Sequence, residues 1–231
     1  MKRWTLIILS LTLILGCTPP QEVAQEPPVS DVTNPNLEGE WISLFNGETL
    51  EGWTASENVE TFSVQDGLIV TDGPRSHLYY TGPVSDHNFK DFELKLEVLT
   101  KPGANSGIYF HTQFQDEGWP SKGYESQVNN SGTDVRRTGS LYDIKDVYET
   151  EAKDDEWFTQ HIIVQGKHIV VKVNGETVVE YHEPETPDQD RTSDRDKNLN
   201  RSRLLGSGTF ALQGHDPESK VFFRNIAVRL R

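Results

Sequence analysis

A period of two in the apolar residues narrows what this chain can become more than any other feature. Phe92, Leu94, Leu96 and Val98 alternate with Glu93, Lys95 and Glu97, the pattern of a strand with one buried and one wetted face. Phe158, Ile162 and Val164 predict a second such strand, and Ile169, Val171 and Val173 a third. The third runs into Asn174-Gly175 and then Val178 and Val179, the signature of a hairpin closed by a type I′ turn. Phe210 and Leu212, then Ile226, Val228 and Leu230, supply closing strands, and WISLF, TFSV, GLIV, HLYY and GIYFH are further short β runs. No amphipathic helix and no internal repeat stands out. With 231 residues the chain has ample length for a hydrophobic core. Its 18 Gly, 12 Pro and 22 aromatic residues suit a turn-rich sandwich better than a bundle. The expected fold is therefore all-β, a two-sheet antiparallel jelly roll.

Charge and motif content exclude several functions. Lys and Arg number 22 against 36 Asp and Glu, a formal net charge of -14, which nucleic-acid phosphates would repel. Neither GxGxxG nor GxxxxGK[ST] occurs, so no nucleotide-binding loop of those types is present. A single Cys rules out an intrachain disulfide.

That Cys sits at a telling place. Lys2 and Arg3 precede a short apolar stretch, Leu6 to Gly16, which ends in Ile14-Leu15-Gly16-Cys17. The stretch is too short for an ordinary membrane-spanning helix of about 20 residues. It resembles a bacterial lipobox, in which the Cys is acylated and becomes the mature N-terminus. Cys17 is thus the expected lipidation site, with a membrane anchor of lipid rather than charge, and the expected location is the cell envelope, on a side of the membrane left open. Residues 18–39 carry five Pro and no aromatic, too little apolar surface to order a segment. The expected organisation is a signal peptide over 1–16, an acylated Cys and tether over 17–39, and a folded body over 40–231. Within the body, Glu183 to Arg203 holds eleven charged residues of both signs and reads as a loop between strands.

Seven phrases in order then resemble one family. LFNGETLEGW (44–53), FSVQDGLI (62–69), DFELKLE (91–97), ANSGIYFH (104–111), GYESQV (123–128), EWFTQHIIVQGKHIVVKVNG (156–175) and GTFALQGH with VFFRNIAV (208–228) are similar to the 3-keto-disaccharide hydrolase family. The resemblance covers about Trp41 to Arg231. It implies a concanavalin-like jelly roll and an exported enzyme that acts on oxidised glycosides. The chain departs from the family's usual pattern at Val128-Asn129-Asn130 and at His111.

Alternation also gives the candidate site. It places Tyr109 and His111 on one face against Ile108 and Phe110, Glu125 and Gln127 against Tyr124, Ser126 and Val128, and Gln213 and His215 against Phe210 and Leu212. Each polar face alone is also what a solvated strand shows. If the three share a concave sheet, they form a groove of carboxylate, imidazole and amide suited to a sugar. Glu125, His111 and His215 are the candidate catalytic groups, Glu125 as base and a His as acid. Tyr109, Gln127, Gln213, Asn105 and His161 are the candidate sugar contacts, although His161 also fits a structural histidine and Asn105 an ordinary N-S-G turn. Arg75 and Trp119 are candidates for the rim. There is no HExxH and no EF-hand loop. No cofactor is called for, and a divalent metal, with Glu125 as a hard ligand, stays open. The competing class is a non-catalytic carbohydrate-binding lipoprotein on the same sandwich.

Overall fold

The computed structural model describes Met1, residues 39–184 and residues 206–231. The expected signal peptide, Cys17, the expected tether up to residue 38 and the charged stretch from 185 to 205 lie outside the described residues. The chain divides into Met1–Asp31 and Val32–Arg231, and every strand named below belongs to the second unit.

Thirteen strands form two sheets among the described residues, and every pairing is antiparallel. The larger sheet runs β11 (Glu176–His182), β10 (His168–Val173), β9 (Phe158–Gln165), β6 (Phe92–Thr100), β13 (Val221–Leu230), β4 (Leu68–Thr71) and β3 (Phe62–Gln65), with β1 (Trp41–Ser43) also on β13. The smaller sheet runs β2 (Trp53–Ala55), β5 (Ser76–Tyr80), β12 (Thr209–Gly214), β7 (Ser106–Thr112) and β8 (Tyr124–Val128). This is the jelly-roll sandwich that the alternation predicts.

The core lies between the sheets and comes from the alternating residues. Phe92, Leu94, Leu96 and Val98 of β6 are buried against Ile162, Val164, Ile169 and Val171 on one side and Ile108, Phe110, Phe210 and Leu212 on the other. Phe89 and Phe210 stack with centroids 4.3 Å apart, and Phe92 meets Phe210 edge-on at 4.9 Å. The hairpin between β10 and β11 has Asn174 at φ 51° and Gly175 at φ 90°, two positive φ values as a type I′ turn requires.

One expectation about β6 fails. Glu93 is not on a wetted face: it is 1% exposed, because Arg229, Arg231 and His161 close over its carboxylate. Burial pushes its carboxyl up, but the bonds from Arg229 and Arg231 outweigh that and hold it below the ordinary Glu range.

Candidate functional site

The side chains of the smaller sheet that do not enter the core must emerge on its outer face. Leu78 and Tyr80, Ile108 and Phe110, Tyr124 and Val128, and Phe210 and Leu212 all point inward. The outer face therefore carries His77 and Tyr79 from β5, Ala211 and Gln213 from β12, Tyr109 from β7, and Glu125 and Gln127 from β8. Register arranges them in two rows. Tyr79, Ala211, Tyr109 and Glu125 are successive cross-strand partners. Gln213 lies opposite His77, and Gln127 opposite Gly107. None of these side chains is more than 6% exposed, so this outer face is a covered floor and not an open sheet.

Glu125 is the carboxylate of that floor. Tyr109 Oη donates to its Oε2 at 2.9 Å, and Gln213 Nε2 donates to its Oε1 at 3.1 Å. The same Gln213 amide reaches Tyr109 Oη at 3.1 Å. The carboxylate lies over Gly107, whose missing side chain makes room: a Cβ there would stand 2.3 Å from Glu125 Oε1. Gln127 donates to Asn105 Oδ1 at 3.0 Å, so the turn before β7 is tied into the floor. The Asn105 backbone N–H in turn donates to Ser219 Oγ at 2.9 Å, and Ser219 donates to Asp216 Oδ2 at 3.1 Å. A small pocket beside Glu125 is lined by Tyr109, Pro120, Tyr124, Tyr142 and Ile144. Burial, and then the carboxylate of Asp134, push the Tyr142 hydroxyl up to about 12, so it stays protonated.

The imidazole of the floor is not the one that alternation selects. His111 falls at a bulge: Tyr109 pairs with Ala211 and Thr112 with Thr209, so Phe110 and His111 together face Phe210. His111 takes a left-handed φ of 51°, which breaks the period of two. Its ring packs against Phe92 and Phe110, and Nε2 meets the Lys90 carbonyl at 2.8 Å. Burial lowers its pKa. It belongs to the core edge, away from the Glu125 floor. His161 is displaced further. It lies on the outer face of the larger sheet, 2.8 Å from Glu93 and edge-on to Trp41, because it alternates with the buried Gln160 and Ile162. It is a structural histidine. Burial lowers its pKa, against the pull of Glu93.

His77 takes the place in the floor. It is fully buried and meets Tyr109 edge-on at 5.3 Å and Trp119 edge-on at 5.6 Å. Neither ring nitrogen has a hydrogen-bond partner among the described residues. Desolvation lowers its pKa to about 3, so the ring is neutral at physiological pH and offers one donor and one acceptor. Tyr79 Oη and the amide oxygens of Gln127 and Gln213 are likewise buried without partners, and burial pushes the Tyr79 hydroxyl above its usual range. Buried polar atoms cost free energy unless paired, and five of them, both His77 ring nitrogens, Tyr79 Oη and the amide oxygens of Gln127 and Gln213, share this face, which makes it the candidate surface for a polar ligand. The HLYY run carries the signal for His77 and Tyr79, since His and Tyr alternate there with Leu and Tyr, but polar and aromatic residues at those positions read equally as ordinary strand.

His215, Trp119 and Arg75 do meet at the rim. His215 Nδ1 is 2.5 Å from Asp216 Oδ2, and its ring lies 5.2 Å from Trp119. Arg75 sits over Trp119 at 5.4 Å and pairs with Glu57 through Nε at 2.9 Å. Glu57, held below the ordinary Glu range by that hydrogen bond, also accepts the Gly118 N–H at 3.0 Å, which fixes the loop that carries Trp119. His111, Glu125 and His215 do not form a ligand cluster among the described residues.

The depressed His77 pKa has a consequence for stability. Between about pH 3 and the ordinary His value near 6.5, the unfolded chain binds a proton at His77 that the folded chain does not, so stability falls as the pH drops through that window. The slope from this group is at most about 1.4 kcal/mol per pH unit. A His77→Phe variant should therefore lose less melting temperature than the parent on going from pH 7 to pH 5. Equal losses would show that the buried imidazole is not the source.

Residues 40–229 match the family described as 3-keto-alpha-glucoside-1,2-lyase-like domain. A 3-keto-disaccharide hydrolase of Bacteroides thetaiotaomicron is 28% identical over 169 residues, which cover 62% of this chain and 58% of that relative's length. Two crystal structures of candidate glycosyl hydrolases from Parabacteroides distasonis share the fold. One has a TM-score of 0.67 at 21% identity, over 83% of this chain and 94% of that one. The other has a TM-score of 0.61 at 24% identity, over 83% and 100%.

Proposed function

Because the chain belongs to the family of 3-keto-alpha-glucoside-1,2-lyase-like domains, we propose that it cleaves glycosidic bonds in sugars already oxidised to a ketone at C3. The ketone acidifies the C2 hydrogen. A base removes that proton, the enolate expels the C1 oxygen substituent, which takes up a proton, and water then adds across the C1–C2 double bond. The first two steps are a 1,2-elimination, as in the family's description, and the third makes the sum a hydrolysis, as in the relative's name.

The observation that carries this reading is the single fixed carboxylate among unpartnered neutral donors and acceptors. Glu125 is the base, held in place by Tyr109 and Gln213. Neutral His77 and the protonated Tyr79 hydroxyl are the donors for the oxygen that gains charge in the enolate. His215, steadied by Asp216 at the rim, is the acid for the departing oxygen. Gln127, Gln213 and Asn105 are left to bind hydroxyls. A displacement by paired carboxylates would need a second one facing Glu125 at about 5–9.5 Å. Among the described residues the other buried carboxylate is Glu93, on the outer face of the larger sheet, and Glu57 is committed to Arg75.

The test is to incubate the protein with a 3-keto-glucoside and with its unoxidised parent in D2O. Only the keto sugar should be cleaved, and the product should carry deuterium at C2. Cleavage without C2 deuterium would overturn the elimination route, and tight binding of the keto sugar without cleavage would leave a carbohydrate-binding module in its place.

The proposal extends to location. Cys17 as an acylated N-terminus would hold the enzyme at the cell envelope, where exported glycosides are met. Cys17→Ala should release the protein from the membrane fraction or block processing of the precursor, and unchanged fractionation and processing would remove the anchor.

A further inference from the structure

The edge hairpin of the larger sheet carries a second constellation, on the other sheet from the Glu125 floor. Ile169, Val171 and Val173 of β10 and Val179 of β11 enter the core, so His168, Glu180 and His182 emerge on the outer face. The register places His168 directly opposite His182, with Glu180 opposite Val170, two residues along on the same face. The bulge in this pairing falls between Val171 and Lys172, nearer the turn, and leaves the parity of the three unchanged. His168 Nε2 already lies 3.0 Å from Glu180 Oε1. The two imidazoles are parallel, with an interplanar angle of 2° and centroids 4.1 Å apart. One donor atom from each of the three side chains lies within 4.8 Å of the other two.

We propose that this trio binds one first-row transition-metal dication of the zinc and copper type. Two imidazole nitrogens and one carboxylate oxygen are the donors such ions prefer, whereas calcium and magnesium take oxygen ligands. Bonds of about 2.0–2.2 Å to a shared ion bring donor atoms to roughly 3.0–3.5 Å from one another. His168 and Glu180 are already at that separation, and the side chain of His182 is exposed and can turn by its own torsions. Three protein ligands leave a position for water.

The position in the hairpin says what the ion would do. Asn174-Gly175 closes one end of the hairpin, and the His168–His182 pair is the last one at the other end. β11 is the edge of the sheet, paired on one side only among the described residues. An ion there staples the open end of an edge strand. It binds the folded hairpin in preference to the unfolded chain, and so raises stability by mass action. The inference is independent of the glycosidase reading, since the trio lies on the other sheet.

The experiment titrates the chelator-treated full chain with Zn2+ by calorimetry and follows its melting temperature. The expected result is one ion per chain with micromolar or tighter affinity, and a melting temperature that rises by several degrees with saturation. His168→Ala/His182→Ala should weaken the affinity at least tenfold, while His161→Ala should leave it unchanged. Electron paramagnetic resonance of the Cu2+-loaded wild-type chain gives a readout that needs no variant, and it should show coordination by two imidazole nitrogens. Absence of stoichiometric Zn2+ binding at about 100 µM, wild-type affinity in the double variant, or a Cu2+ signal without imidazole nitrogen would each overturn the assignment.

Discussion

Glu125→Gln should lower turnover on a 3-keto-glycoside by roughly 10²- to 10⁴-fold, the usual contribution of a positioned base, and should weaken substrate binding far less. The structure makes this substitution unusually clean. Among the described residues the carboxylate accepts from Tyr109 Oη and Gln213 Nε2. A carboxamide keeps one acceptor and gains a donor, so one bond must reverse. Gln213 can answer it, because its Oε1 is buried and without a partner: rotation of the Gln213 amide by half a turn lets that oxygen accept from the new Nε2. The melting temperature should therefore change little, and the loss should appear in kcat. Wild-type rates in the variant would take Glu125 out of the mechanism and leave His77 and His215. Metal content, measured on the same samples, separates a lost base from a lost ligand: bound metal that disappears with the activity would make Glu125 a ligand.

The same residues show which parts of the site a sequence can carry. Glu125, Gln127, Tyr109 and Gln213 fall on one face because β8, β7 and β12 keep a strict period of two through those positions, and the inward-facing Tyr124, Val128, Ile108 and Leu212 set the parity. His111 fails for a local reason. A one-residue bulge opposite Phe210 reverses the parity after Tyr109, and nothing in GIYFH marks where pairing slips. His77 is hidden for a different reason. Its role rests on which strands neighbour β5, and a sandwich of this kind sets those neighbours through pairings such as Leu78 with Leu212 and His77 with Gln213, far apart in the chain. Glu93 shows a third limit. In sequence it is one charge of an alternating wet face, and only the return of β13 brings Arg229 and Arg231 over it. The two-sheet architecture is legible from local period, then, while the partners of each polar side chain depend on long-range pairing.

Gly107 supplies the sharpest test of how the carboxylate is held. Its φ is not in the left-handed region, so alanine meets no backbone strain there, and the three nearest obstructing atoms all belong to Glu125: the new Cβ would stand 2.3 Å from Oε1 and 2.9 Å from both Cδ and Cγ. Contacts that short cannot persist, and the obstructing atoms are the end of a side chain, so Glu125 yields and the strand does not. Once moved, the carboxylate cannot keep both Tyr109 and Gln213 as donors, and the loss of buried hydrogen bonds to a charged group costs about 1–3 kcal/mol. A misplacement of about 1 Å can cost roughly 10²-fold in rate, so Gly107→Ala should lower kcat by about that factor although it adds one methyl group and removes nothing. A double variant identifies the cause. In a Glu125→Ala background the methyl finds open space, and Gly107→Ala should then cost little further stability, so the two substitutions are strongly non-additive. Additive losses in the melting temperature would mean that the methyl disturbs something other than Glu125. A Gly107→Ala enzyme with wild-type kcat would show that the base does not depend on its position over this glycine.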